Sequence, residues 1–311
     1  MHLLIPFAAP WSGAGRQALA ALELPELSAL LAGAGEPMLD AGEETSLSPP
    51  HERAHARALG LAGADGLIPW AAWQAQADGI AVQTPPDLDW GLLSPVHWHV
   101  GSDQVTLLDP EALMLDEAAS RALLDAVREL FTREGFVILY GAPTRWYLAH
   151  ESLAELTTAS LDRVIGRNVD PWLPPARSSA PARLWRRLQN EAQMRLYTHA
   201  LNDERESRGL PTVNSLWLSG CGPRQEAAAA PGLVLDQRLR GPALAEDWEA
   251  WTAAWRALDA GPIAALRQRP ATLTLCGERS AATWKLRPRN AWQTLFGRWR
   301  RADSRRLLAS L

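Results

Sequence analysis

Apolar residues run together over His2–Ala8, which predicts a buried first strand. Arg16–Leu31 carries a helical pattern in one or two segments, interrupted near Pro25. Pro49-Pro50 precedes a short helix, Glu52–Leu59, that Gly60 ends. Ile68–Gln76 predicts another helix, and a polar, proline-rich link then runs through Asp89. Strand signals follow at Pro95–Val100 and Val105–Leu108. Asp116–Arg133 is amphipathic, with Ala119, Leu123, Leu124, Val127, Leu130 and Phe131 on one face and Gly135 as its stop. Strands Phe136–Tyr140 and Arg145–Ala149 complete a β-β-α-β-β run that reads as a compact α+β insert.

Beyond it, a loop rich in Pro, Ser and Arg (Pro171–Pro181) leads to a long helix over Arg183–Leu201. The apolar strand Val213–Leu218 then returns the chain to the first domain. Helix Glu246–Leu258 sets Trp248, Trp251, Trp255 and Leu258 in a core-facing stripe, and Thr272–Cys276 is a further strand. The pattern predicts an α/β fold. His2–Ala8, Val213–Leu218 and Thr272–Cys276 share one mainly parallel sheet with helices on both faces. Expected bounds are 1–88 with 202–285 for this core lobe, 89–201 for an inserted α+β lobe, and 286–311 for a basic tail.

Composition narrows the function classes. With 311 residues, 47% hydrophobic and 21% charged, the chain has room for a large core or two domains. A net charge of −4 gives no global pull toward nucleic acid or an anionic membrane. No apolar run approaches a membrane span, and the N-terminus lacks a basic leader. Cys221 and Cys276 do not make a disulfide framework and suit a reducing compartment, so a cytoplasmic location is expected. Lys285 is the single lysine, which argues against Schiff-base chemistry and a P-loop. Arginine instead favours planar binding of carboxylates and phosphates.

The tail interleaves Arg287, Arg289, Arg298, Arg300, Arg301, Arg305 and Arg306 with Trp292, Phe296 and Trp299. Two readings stand: a terminal helix docked by its aromatics, or a docking segment for an acidic protein partner or nucleic acid, the latter disfavoured by net charge.

Histidine supplies the candidate chemistry. His97 and His99 form an H-x-H pair, which on a strand places both rings on one face, a common supply of two metal ligands. His51 and His55 lie at i, i+4 on one helical face, and Glu52 and Asp103 offer carboxylates. The other reading is that these histidines hydrogen-bond backbone or carboxylate groups in a half-buried cleft. Gly13-Ala14-Gly15 lacks the third glycine of a dinucleotide fingerprint, and no G-x-S-x-G is present. Cys221 is either an exposed nucleophile at a strand end or a small residue packed in a tight turn.

The stretch Leu201–Gly222 combines a charged helical turn, a Gly-Pro stop, an apolar strand and a glycine-rich exit. Asn202, Arg205, Gly209, Pro211, Asn214, Gly220 and Gly222 fall in order on a segment of the archaeal-type, cofactor-independent phosphoglycerate mutases. The segment resembles that family, of the alkaline phosphatase superfamily. Pro49–Gly60 resembles its nucleophile segment, Leu24–Ala34 an early helix, and Thr144-Arg145 stands where the family has His-Arg. The whole chain is similar to proteobacterial proteins described as predicted mutases or as RpfE-type regulatory proteins, notably in SPPHERA, PVHWHVGSDQV, TASLDRVIGRNVD and VNSLWLSGCG.

The resemblance implies an alkaline-phosphatase-like fold with an inserted lobe and a bacterial cytosol. Family members need two metals around a serine or threonine nucleophile. Here Pro10-Trp11-Ser12 stands in place of the family's metal-binding Asp, and His51 with Glu52 in place of the nucleophile and its neighbour. Thr274-Leu275-Cys276-Gly277-Glu278 stands where a strand should end in T-x-D-H. The expectation is a non-catalytic regulatory or binding protein with no cofactor. The alternative is a rebuilt histidine site acting in phosphoryl transfer or hydrolysis, with a divalent metal on His51, His97 and His99. A ligand pocket between the lobes is expected to be lined by His51, Glu52, His97, His99, Arg145, Arg163, Asn168 and Asn214, with Arg145 and Arg163 clamping an anionic metabolite. Arg163 and Asn168 have a second reading as braces for the loop before Pro171.

Overall fold

The computed structural model describes residues 1–81, 84–85, 87–287 and 303–311. In chain order it contains β1 (His2–Ile5), α1 (Gly13–Ala21), α2 (Pro25–Leu31), β2 (Met38–Ala41), α3 (Pro50–Leu59) and α4 (Trp70–Ala77). Then come β3 (Trp90–Val96), β4 (Trp98–Val100), β5 (Val105–Leu107), α5 (Glu117–Thr132), β6 (Val137–Ala142) and β7 (Arg145–Ala149). Next are α6 (Leu161–Val164), α7 (Ala180–Tyr197), α8 (Ala200–Ser207), β8 (Ser215–Gly222) and β9 (Leu233–Leu235). The chain continues through α9 (Arg240–Leu244), α10 (Trp248–Leu258), β10 (Ala271–Cys276) and β11 (Ser280–Leu286). A short helix, Ser304–Leu308, follows near the end. None of the described helices is long and apolar enough to cross a membrane.

Two compact units emerge: Met1–Gly60 with Ala228–Leu311, and Leu61–Ala227. The first is built on a sheet of order β2-β11-β10-β1-β9, in which β1 runs parallel to both β10 and β9 while β11 and β2 are antiparallel. Successive residues of β1 face opposite sides. Leu3 and Ile5 enter a core with Leu19, Leu27, Trp251 and Trp255. Leu4 on the other side packs with Ala54 of α3, Cys276 and Ala281. The tryptophan stripe of α10 therefore does what its spacing predicts. A long-range cap completes this unit's local order: buried Asp259 accepts the Glu26 and Leu27 amides at the start of α2, which its own N-cap residue, Leu24, leaves without a side-chain acceptor.

The second unit holds a four-stranded antiparallel sheet, β6-β7-β3-β8, and the β4–β5 hairpin. Its main core joins α5 and α7 to one sheet face through Leu123, Val127, Phe131, Trp185 and Leu188. This corrects the expected topology. Val213–Leu218 does not share a sheet with His2–Ala8 and Thr272–Cys276; the strand there, β8, pairs antiparallel with β3. Packing explains the misreading. α4 and α7 both pack against β8, so it is buried along nearly its whole length and shows no alternation. An edge strand covered on both faces then has the same pattern as a central parallel strand. Because β8 takes α4 and α8 with it, the units divide at Gly60 and Ala228 instead of at 88 and 202.

The expected separate tail is corrected in part. Leu308 and Leu311 belong to the first unit's core. The Leu311 carbonyl accepts the Arg279 and Ser280 amides at 3.2 and 2.9 Å, and a Cβ on Gly277 would lie 2.5 Å from the Leu311 carbonyl carbon. Only glycine admits the chain there. Arg289, Trp292, Phe296, Arg298, Trp299, Arg300 and Arg301 lie outside the described residues.

Candidate functional site

His51 and Glu52 lie in the first unit; His97, His99, Arg145, Arg163, Asn168 and Asn214 lie in the second. Each group is described within its own unit.

In the first unit, Pro50 opens α3 at a position that needs no N–H donor, and the next residue, His51, is only 9% exposed. Its ring centroid is 5.1 Å from that of Phe7, just past the carboxyl end of β1. Phe7 holds a left-handed φ of 53° and accepts the Trp251 indole N–H through its carbonyl at 3.0 Å. One helical turn on, His55 is drawn down to about 4. Burial is the main cause, and the nearby His51 and His2 add to it. His2 shares the sheet face with Leu4 and lies 2.8 Å (Nε2) from the Thr274 hydroxyl, itself 2.9 Å from that of Thr283. Burial and the amino terminus lower His2 as well. Sequence reading missed His2 because histidine in an apolar strand reads as core; its place beside α3 is a tertiary fact.

Ser12 and Cys276, in the two segments that stand where the resemblance expects metal ligands, have structural roles. The Ser12 hydroxyl caps α1 by accepting the Gly15 amide at 3.2 Å. Cys276 is fully buried with its thiol pushed up by burial. In the second unit, burial pushes Cys221 up to about 12; it is packed inside β8, neither in a tight turn nor an exposed nucleophile.

The second unit gathers four predicted residues at the β4–β5 hairpin. The extended run breaks at His97, between β3 and β4, so the pair does not ride one regular strand; the two rings stand 6.4 Å apart. His97 Nδ1 lies 2.8 Å from the Thr212 carbonyl oxygen. A carbonyl can only accept, so Nδ1 carries the proton and Nε2 holds the lone pair of the neutral ring. His99 is exposed and pairs with Thr106, which bridges in turn to Asn168. Asn214 holds Trp98 from both sides, accepting its amide at 2.7 Å and donating to its carbonyl at 2.9 Å. Asn168 accepts the Asp170 amide at 3.3 Å, a local brace before Pro171.

Both arginines of the expected clamp are engaged within the second unit. Arg145 is tied to Asp78 at 3.0 and 3.2 Å, and Tyr147 donates its hydroxyl to the same carboxylate at 2.6 Å. Burial alone would raise Asp78, but hydrogen bonds from Tyr147, Gln74 and Arg145 outweigh it and hold the carboxyl low. Arg163 is 1% exposed, with its guanidinium 5.9 Å from the Trp172 ring centroid. Arg163 is buried, and Arg145, with its side chain 35% exposed, is already paired with a carboxylate.

The Leu201–Gly222 segment works as a brace. Asn202 donates to the Leu196 and Val213 carbonyls and accepts the Val213 amide, each at 2.8 Å. Arg205 donates to the Pro211 and Leu113 carbonyls. Gly220 has φ 62°, and a Cβ there would come within 2.9 Å of Trp70 Cβ at the start of α4. Among the described residues, no group of three or more His, Cys, Asp or Glu side chains is arranged to hold a metal ion.

No protein-family model and no curated protein matches the chain. Two solved structures are similar in chain path. A cofactor-independent phosphoglycerate mutase from Thermoplasma acidophilum is 16% identical, with a TM-score of 0.39 over 92% of this chain and 89% of that one. The PH0037 protein from Pyrococcus horikoshii is 13% identical, with a TM-score of 0.41 over 92% and 87%.

Proposed function

We propose that this is a non-catalytic, phosphoglycerate mutase-like regulatory or binding protein, of the RpfE type, that lacks a two-metal phosphoryl-transfer site. The observation that carries the reading is His51. Where the sequence resemblance expects a hydroxyl nucleophile, the chain holds a buried imidazole whose ring lies against that of Phe7. Two-metal phosphoryl transfer needs carboxylates and histidines converging on a nucleophile to clamp the developing charge. Ser12 caps α1, and Cys276 is packed in the core. Ligand contact is assigned to the β4–β5 hairpin, where His99 is exposed and the His97 tautomer is set by Thr212. Assay of 2- and 3-phosphoglycerate interconversion with magnesium or manganese should give background rates; turnover abolished by a chelator would overturn the reading.

A second reading is favoured by His97. A histidine that binds a metal through one ring nitrogen commonly donates the other N–H to a backbone carbonyl, as His97 Nδ1 does to Thr212. A stoichiometric divalent metal in untagged protein, lost in His97→Ala, would establish it.

A further inference from the structure

β2 is an edge strand of the first unit's sheet, and its outer side pairs with no other strand among the described residues. Register shows which of its backbone groups are open. Met38 is opposite Thr283 and Ala41 opposite Ser280, a pairing that continues to Gly42 opposite Arg279. The Gly42 amide donates inward to the Arg279 carbonyl at 2.9 Å. Antiparallel pairs alternate, so Met38 and Asp40 also bond inward, while the N–H and C=O of Leu39 and Ala41 point to the open edge.

The side chains there are unusual for an edge. Natural edges are blunted by lysine, proline or bulges; here Pro37 stands just before the strand, and the strand itself exposes Met38 by 53% and Leu39 by 66%. Charge selects the partner. The segment Glu36–Glu44 carries Glu36, Asp40, Glu43 and Glu44 and no cation. Asp40 is held by Arg53 and Arg57 of α3 at 3.4 and 2.9 Å, and Glu36 and Glu44 are exposed at the two ends of the strand.

We propose that β2 is a docking edge for an extended segment of a partner protein, added as a further strand, with apolar residues against Met38 and Leu39 and Lys or Arg at both ends. Backbone hydrogen bonds to Leu39 and Ala41 supply the register, and the flanking carboxylates select basic over acidic segments.

The test uses the full chain and a capped peptide, KTVTVTK, with ETVTVTE as its charge-reversed control. Hydrogen–deuterium exchange read by NMR should slow at the Leu39 and Ala41 amides when KTVTVTK is added, with the already paired Asp40 amide unchanged. ETVTVTE should bind at least tenfold more weakly, and Glu36→Lys with Glu44→Lys should reverse that preference. Ala41→Pro, which removes an outward donor and leaves the inner ladder intact, should abolish the protection. No slowing at Leu39 and Ala41, or equal binding of the two peptides, would overturn the proposal. So would a concentration-dependent dimer abolished by Ala41→Pro, since the occupant would then be a second copy of the chain.

Discussion

The two units use their polar side chains in opposite ways. In the second, candidate residues are largely consumed by backbone: Asn202 and Asn214 between them hold Val213, Leu196 and Trp98, and Arg205 holds two carbonyls. In the first, His2, His51 and His55 gather beside one face of a sheet, and His51 and His2 add to burial in lowering the proton affinity of His55. Bonds to backbone convert a polar group into architecture, with an energetic penalty for its loss that does not depend on pH. Histidines grouped under partial burial stay titratable, and their cost appears only when a proton arrives.

The largest test of this contrast is Asn202→Ala. It strips partners from three buried backbone groups and should lower stability by about 3 kcal/mol in urea unfolding, whereas half-buried Asn214→Ala should cost about 1 kcal/mol. Equal, small losses would mean the brace is not structural.

Acid should act on the first unit. Folded His55 takes its proton only near pH 4, while an unfolded histidine takes it near 6.5. Between those values the unfolded state binds more protons, so stability is full above about 6.5 and falls as pH drops toward 4. The loss should be about 1–2 kcal/mol once solvent screening is discounted. Thermal melts across that range should show the slope, and His55→Gln should flatten it.

The smallest expected effect is a null one. Cys221, buried and pushed up to about 12, should resist iodoacetamide at pH 8 until denaturant is added. Rapid native labelling would mean that the glycine-rich exit of β8 opens.

Local chemistry was legible from sequence. The Pro25 break between α1 and α2, the helix that Gly60 ends, the α5 stripe and the α10 tryptophans all rest on periodicity and on Pro and Gly stereochemistry, which act within a few residues. What required tertiary structure were the pairings across long separations. Apolar content told that Val213–Leu218 is buried but not which strand it joins, because a strand covered on both faces carries no register signal. H-x-H spacing named two histidines without showing that Thr212, 115 residues away from His97, decides which nitrogen holds the proton. The same holds for His2, whose place beside α3 exists only once β1 is laid against β10. Sequence determined where chain direction and burial change; contacts between distant segments decided which polar groups are spent and which remain to titrate.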